Sequence, residues 1–504
     1  MNARPTKGTR TDTPAGAMAA GGARACGRHS APVAAATPPE GFNLLRLPGV
    51  RALVRWGGFP YVVQAAMLAV FIALAVLSWG VYAPPGANPK LFAKTNLVTL
   101  LIWGVWWPTM IWVAVLLGRA WCMVCPLELV SNVSERLARR LGVRQRPLRP
   151  WVAAGAVIVA LYALIQLLVA GAHINRVPAY TSLFLIGLLA TALLTGLVLK
   201  DRAFCRGFCP VGLLLGTYGR GGMLAVRAGL AATCWSCTGK DCVLACNRTL
   251  LDARSCPSLL NPQKLNSNKD CLACGQCLKA CEPGNMQLLL RRPFPATDAR
   301  EATASWPLTL FVMLVSGFVT WELLAEWPTA EAVFLSAPTL AAVAFGWSEA
   351  GGWLEGVWAL AVVPLLLWSA LAGVVRLLEA KETLGDLWRR MALPIAVVIA
   401  AGHMSKGLAK FVSWAPFVPR AWHDPSGMDT MKALAAATLP PPAPFFELST
   451  VAGIGLVLIS LSLRYSVREY RLASAGARTL PRSFLPVAAL ACAFVLILAG
   501  WVAQ

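Results

Sequence analysis

Charge is scarce in this chain, and acidic charge scarcer still. Only 13% of the residues are Asp, Glu, Lys or Arg, and 45 basic residues face 23 acidic ones. An average soluble domain carries about twice that share of charge. Histidine occurs four times and never in a C-x-x-C-H run, so covalent c-type haem is not indicated. No nucleotide-binding, kinase or DNA-binding motif is present, and there is no solenoid repeat. The first forty residues lack the apolar core of a cleavable signal and carry no twin-arginine run before one. Rich in Ala, Gly, Pro and Thr, residues 1–41 read as a disordered tail, with Cys26 and His29 idle in it.

What the chain has is apolar length. It is 57% hydrophobic over 504 residues, with 20 Trp. Apolar stretches lie near 60–83, 97–117, 151–171, 180–199, 305–326, 356–376, 391–414, 447–464 and 484–503. Each approaches the roughly 20 residues that cross a bilayer as a helix. Basic residues fall in alternate loops: eight in 1–58, seven in 119–149, four in 376–390 and five in 464–482. The loops between these are poor in them, so the positive-inside rule puts the N-terminus and the 200–300 segment in the cytoplasm. Membrane lipid thus accounts for the net charge of +22, and nucleic acid is not a partner. Residues 42–57 alternate Leu and Val with Arg46, Arg51 and Arg55 and read as a surface-lying amphipathic segment.

Fifteen cysteines remain to be explained. Cys271, Cys274, Cys277 and Cys281 form the C-x2-C-x2-C-x3-C run that wraps a cubane iron–sulfur cluster, the fourth thiolate serving the neighbouring cluster. Zinc takes two C-x2-C pairs rather than four cysteines in eleven residues, and disulfides need an oxidising compartment. A less regular run, Cys234, Cys237, Cys242 and Cys246, precedes it. One cluster is therefore expected on Cys234, Cys237, Cys242 and Cys281. The other is expected on Cys271, Cys274, Cys277 and Cys246, with Cys256 before Pro257 as the reserve ligand. Two Cys-Pro motifs follow the second and fourth spans: Cys122 and Cys125 before Pro126, Cys205 and Cys209 before Pro210. Together they supply four thiolates, enough for a third iron–sulfur centre or a redox-active thiol set.

This order of paired Cys-Pro motifs followed by a two-cluster ferredoxin segment resembles the membrane polyferredoxins of the NapH/NosR/CcoG type, over roughly residues 97–290. One departure is the two-residue gap between Cys122 and Cys125, where those proteins usually have three. The resemblance implies a cytoplasmic ferredoxin module and electron exchange between the quinone pool, or a cytoplasmic donor, and a redox partner. That partner would be a ferredoxin, a flavodoxin or a membrane oxidoreductase subunit. A second function class is an assembly factor that delivers electrons to a metalloenzyme client.

The expected architecture is an all-α polytopic membrane protein of about nine spans with an inserted small α+β ferredoxin-like module. The segments are the tail 1–41, a membrane domain 42–229 with both Cys-Pro motifs, the module 230–292, and a second membrane domain 293–504. The host membrane is the bacterial cytoplasmic membrane. Ionisable groups inside spans are functional suspects. His403, Lys406 and Lys410 share one helix face by their three- and four-residue spacing. With His173 they are the candidate quinone-binding groups, and Glu322 is a companion. Trp103, Trp106, Trp107 and Trp112 around Pro108 read as packing beside a kink.

Overall fold

The computed structural model describes residues 39–379, 382–473 and 484–503. The tail to residue 38, with Cys26 and His29, and the basic residues Lys381, Arg478 and Arg482 lie outside them. The chain opens on strand β1 (Phe42–Asn43) and the amphipathic helix α1 (Pro48–Arg55). Helices α2 (Tyr61–Leu77) and α3 (Leu97–Leu117) lead to α4 (Pro126–Arg140). Then come α5 (Ala156–Gly171), α6 (Pro178–Val198) and the short α7 (Gly212–Tyr218). Strands β2 (Leu224–Ala228) and β3 (Met286–Leu290) enclose the cysteine-rich segment. The second half is α8 (Trp306–Leu324), α9 (Gly351–Leu378), α10 (Leu384–Trp414), α11 (Leu448–Ala473) and α12 (Leu485–Val502).

Seven of these helices are long and apolar enough to cross a membrane: α3, α6 and α8 to α12. The protein is a multi-pass membrane protein. Helices α2 and α5 are apolar but have 17 and 16 residues. At 1.5 Å per residue they reach about 24–26 Å, short of a hydrocarbon core of about 30 Å. Where about nine spans are expected, seven helices thus reach spanning length among the described residues, and α2 and α5 fall short of it. The interrupted stretch before α9 forms two short helices, Pro328–Phe334 and Ser336–Ala344, with Val333, Leu340 and Val343 exposed.

Helix α10 is the central column, 89% of its apolar window being buried. It packs against α3, α8, α11 and α12. Pro394 interrupts its hydrogen-bond ladder, and Ser466 of α11 donates to the Pro394 carbonyl at 2.8 Å. The bond ties α11 to α10 at the proline. Tryptophans fasten the other crossings. Trp103 Nε1 donates to Thr181 Oγ1, Trp112 Nε1 to the Met404 carbonyl and Trp501 Nε1 to the Leu323 carbonyl, at 3.0–3.1 Å. In α3 the turn Leu100–Trp106 widens to π geometry just before Pro108, where the missing proline N–H disturbs the α ladder.

The small sheet runs β1-β3-β2, both pairings antiparallel, with Asn43 opposite Leu289 and Val226 opposite Leu288. It draws strands from both sides of the expected module boundary at 230. The segment 42–57 is part of this unit: Val54 is buried with Leu278, Met286 and Leu288. Its apolar face therefore covers the sheet and the second cysteine run, where amphipathicity alone suggested a lipid surface.

Candidate functional site

Gly118 begins the site. Its φ of +67° turns the chain out of α3, a conformation that favours glycine. A Cβ on Gly222 would stand 2.5 Å from the Gly118 nitrogen, so these two segments touch backbone to backbone. The Met223 amide donates to the Leu116 carbonyl at 2.8 Å. The contact fixes the first Cys-Pro loop against the turn that follows the second. Cys125 is the extended residue ahead of α4, with Pro126 at the first helical position, where its missing N–H costs nothing. The Cys209 amide donates to the Phe204 carbonyl at 2.8 Å, closing a tight turn over Cys205.

The two loops bring Cys122, Cys125, Cys205 and Cys209 together. Burial pushes the Cys205 thiol up to about 11 and the Cys209 thiol up to about 12. Cys125 is raised further by burial and by the other three cysteines. Four crowded thiols cannot all ionise unaided. Bound iron supplies the compensating charge that deprotonates its thiolates, so this donor set fits an iron–sulfur centre.

The cysteine-rich segment closes two further sets. One cavity is lined by Cys234, Cys237, Cys242 and Cys281, which is the expected first grouping. The other is lined by Cys271, Cys274, Cys277 and Cys256. Cys246, expected as the fourth member, sits exposed on the turn Cys246–Thr249, and the reserve residue Cys256 takes its place. Burial raises Cys271 and Cys242 each to about 12, with neighbouring cysteines adding to the rise. Among the described residues no three His, Cys, Asp or Glu side chains converge as ligands of a single metal ion. The first set also holds sulfur-directed donors. Asn285 Nδ2 lies 3.1 Å from Cys234 Sγ, and the Lys240 amide 3.4 Å from Cys237 Sγ. Such bonds tune cluster potentials.

A buried ion cluster ties the thiol sets together. Glu128 of α4 takes Arg202 at 2.7 Å, Arg254 at 3.0 Å and Gln64 Nε2 at 2.7 Å. Burial opposes its ionisation, but the two guanidiniums outweigh that and hold the carboxyl below its ordinary range. Arg202 follows the second Cys-Pro motif's helix and Arg254 precedes Cys256, so Glu128 pins the module to the membrane part. Nothing in the sequence singled Glu128 out among the seven arginines of its loop. Lys279 also serves as an anchor: its ammonium binds the Trp56 and Phe59 carbonyls and Asp252 at 2.6–2.8 Å.

In the membrane half, His403, Lys406 and Lys410 meet Glu322 around one small space. Lys406 pairs with Glu326 at 2.7 Å and Glu322 at 3.6 Å. Lys410 lies over the Trp414 ring, 4.9 Å from its centroid. His403 Nδ1 is 3.1 Å from Tyr218 Oη, a partner the sequence did not reveal. His173 does not line this space, although Asn175 does. The room among these groups is about 30 Å³, enough for a water rather than a ring. The rings of Trp107, Trp106 and Trp121 follow one another at 6.2 and 5.4 Å, from beside His403 to the residue before Cys122.

The sequence profile of the family described as "4Fe-4S binding domain" matches residues 99–144 and 181–228, the stretches that carry the two Cys-Pro motifs. The ferredoxin-type protein NapH of Haemophilus influenzae is 29% identical over 184 residues, 33% of this chain and 61% of that protein. The methylamine utilization ferredoxin-type protein MauN of Methylorubrum extorquens is 30% identical, over 24% of this chain and 45% of its own length. The protein NirI of Paracoccus denitrificans is 26% identical, over 51% of this chain and 40% of its own. The chain thus spans less than two thirds of the length of these relatives. No solved structure matches it. In its cysteine motifs and apolar helices the chain is similar, over these stretches, to the ferredoxin-type membrane proteins NapH and MauN.

Proposed function

We propose that this protein passes single electrons between a redox partner at its cysteine-bearing end and the quinone pool or a membrane partner. The observation that carries the reading is the gathering of three four-thiol sets, drawn from five separate segments, at one end of the helix bundle. Cys234, Cys237, Cys242 and Cys281 hold one [4Fe-4S] cluster. Cys271, Cys274, Cys277 and Cys256 hold a second, and Cys122, Cys125, Cys205 and Cys209 a third. When bound, the clusters supply one-electron redox centres.

That end is the cytoplasmic face of an inner membrane on this reading. The basic loops collect there: Arg389 Nε binds the Ala304 carbonyl at 2.9 Å, and Arg300 pairs with Glu469 at 3.1 Å, both beside the segment that leaves the module. The residues' own contributions are then distinct. Cysteine thiolates fix the centres, Asn285 and the Lys240 amide bias one of them, and Glu128 with its arginines holds the module in register. His403, Lys406 and Glu322 are the groups in the membrane half able to carry protons for a quinone.

Two measurements check this. Cys205→Ser is expected to lower anaerobically determined iron from about twelve to about eight per chain, leaving the two module signals intact. In lipid, chemically reduced protein mixed with a water-soluble quinone analogue is expected to lose its cluster electron-spin resonance rapidly. The rate falls in the His403→Ala/Lys406→Ala variant. Clusters that stay reduced would remove the quinone from the reading and leave a protein client as the electron acceptor.

A further inference from the structure

A cavity of about 250 Å³ lies between α3, α7, α10 and α11, on the cysteine side of His403. Its walls are mostly apolar. Helix α10 presents Ala396 and Ala400, whose short side chains leave a flat slot, and Tyr465 of α11 closes one side, stacked on Phe294 at 5.3 Å. Leu461, a wall residue, is also 45% exposed on the outer surface of α11, so the cavity reaches the lipid-facing side of the bundle.

Two hydroxyl-bearing residues of α7, Thr217 and Tyr218, line the slot. Thr217 is 7% exposed, and its Oγ1 is buried without a hydrogen-bond partner. Leaving such a group unpaired costs stability unless a ligand meets it. Tyr218, 5% exposed, is bonded to His403 Nδ1. The charged wall residues are already engaged, Arg220 with Glu301 at 2.8 Å and Glu469 with Arg300 at 3.1 Å. The cavity therefore offers no free cation for a phosphate. It is also smaller than the roughly 300–1,000 Å³ of drug-sized pockets, which excludes a nucleotide or a haem. A single planar ring with oxygens at its edge and an apolar tail toward the lipid fits its size, its hydroxyls and its opening.

We propose that this cavity is the quinone-ring site, with the Thr217 and Tyr218 hydroxyls as its hydrogen-bond partners. His403 is then a positioning residue that acts through Tyr218, and Lys406, Glu322 and Glu326 stand behind it without touching the ring. The proposal rests on the quinone reading above and moves the ring from the small polar space around Lys406 to the cysteine side of His403. Thr217 and Arg220 also line a neighbouring cavity that reaches Cys205 and Leu272, so the ring would lie next to the thiol sets.

The test is equilibrium binding of a para-benzoquinone with a decyl tail to the full-length protein in lipid nanodiscs. Ala400→Leu narrows the slot and is expected to weaken binding at least tenfold, with cluster spectra unchanged. Thr217→Val keeps the side chain's shape. It is expected to weaken binding about threefold to tenfold while raising the melting temperature of the ligand-free protein. That opposite movement is one a merely structural hydroxyl would not give, and it keeps the test decisive if Ala400→Leu disturbs folding. Lys432→Gln, on the exposed face of the short helix Met428–Ala435, is expected to leave binding within about twofold of wild type. Loss of binding in Lys406→Gln with wild-type binding in Thr217→Val would overturn the proposal, as would a wild-type protein that binds no quinone. Quinone bound as described, with clusters that do not exchange electrons with it, would support the cavity and overturn the electron-transfer reading.

Discussion

Replacing Cys256 by serine is expected to abolish one of the module's two cubane signals and remove about four irons per chain, whereas Cys246→Ser leaves both signals and the iron content unchanged. Ferredoxin spacing argues the opposite, because the last cysteine of each run ordinarily serves the neighbouring cluster. Here the first run has four residues between Cys237 and Cys242. After Cys242 the chain turns at Cys246–Thr249, where Cys246 lies on the exposed side of the turn. It then loops back so that the Cys256 amide donates to the Cys242 carbonyl at 3.0 Å. This return brings Cys256 beside Cys271, Cys274 and Cys277, while Cys281 crosses to the other set. Pro257 withholds an N–H at that point and suits a chain end wrapped on a cluster. Electron-spin resonance of the reduced variants, with iron analysis, decides it. Loss of signal in Cys246→Ser alone would restore the spacing rule.

Much of this architecture was legible because its signals are local. Apolar runs of about 20 residues located every long helix, and Cys-Pro spacing located both loops that approach Cys122 and Cys205. What was not legible depends on partners distant in sequence. The stripe of Leu and Val in 42–57 marks an apolar face but not what covers it, and the cover is the sheet around Leu288. Nor does the sequence show what Lys279 meets: its ammonium is enclosed by the Trp56 and Phe59 carbonyls. Ala396 and Ala400 read the same whether a helix packs closely or borders a cavity. The three-residue spacing of His403 and Lys406 was read as one polar site. The two do border one space with Glu322, but their bonding partners, Glu326 for Lys406 and Tyr218 for His403, lie far off in sequence.

Glu128→Gln is expected to loosen the module from the membrane part, at a cost of about 3–5 kcal/mol, the usual penalty for removing one partner of a buried ion pair. The side chain is buried, and its loss leaves the guanidiniums of Arg202 and Arg254 facing each other without an anion. Thermal unfolding and limited proteolysis between residues 230 and 292 read the effect. Acid should imitate it in the wild type. The folded carboxyl titrates below its ordinary value of 4.5, so the stability it contributes is fully present above that value. That stability is lost as pH falls through the folded pKa. Wild-type protein should therefore hold the module from neutral pH down to about 4.5 and release it only in stronger acid, whereas Glu128→Gln should be loose throughout, with its pH dependence flattened in that window. A variant in which Glu128, Arg202 and Arg254 are all replaced by leucine separates charge from position. Buried ion clusters exchanged for apolar side chains are often neutral in stability, so this variant is expected to recover the docked module. With Arg202 gone from beside Cys205 and Cys274, its cluster potentials should fall, since nearby positive charge favours the reduced, more negative cluster. Recovery of docking with unchanged potentials would make the arginines structural alone.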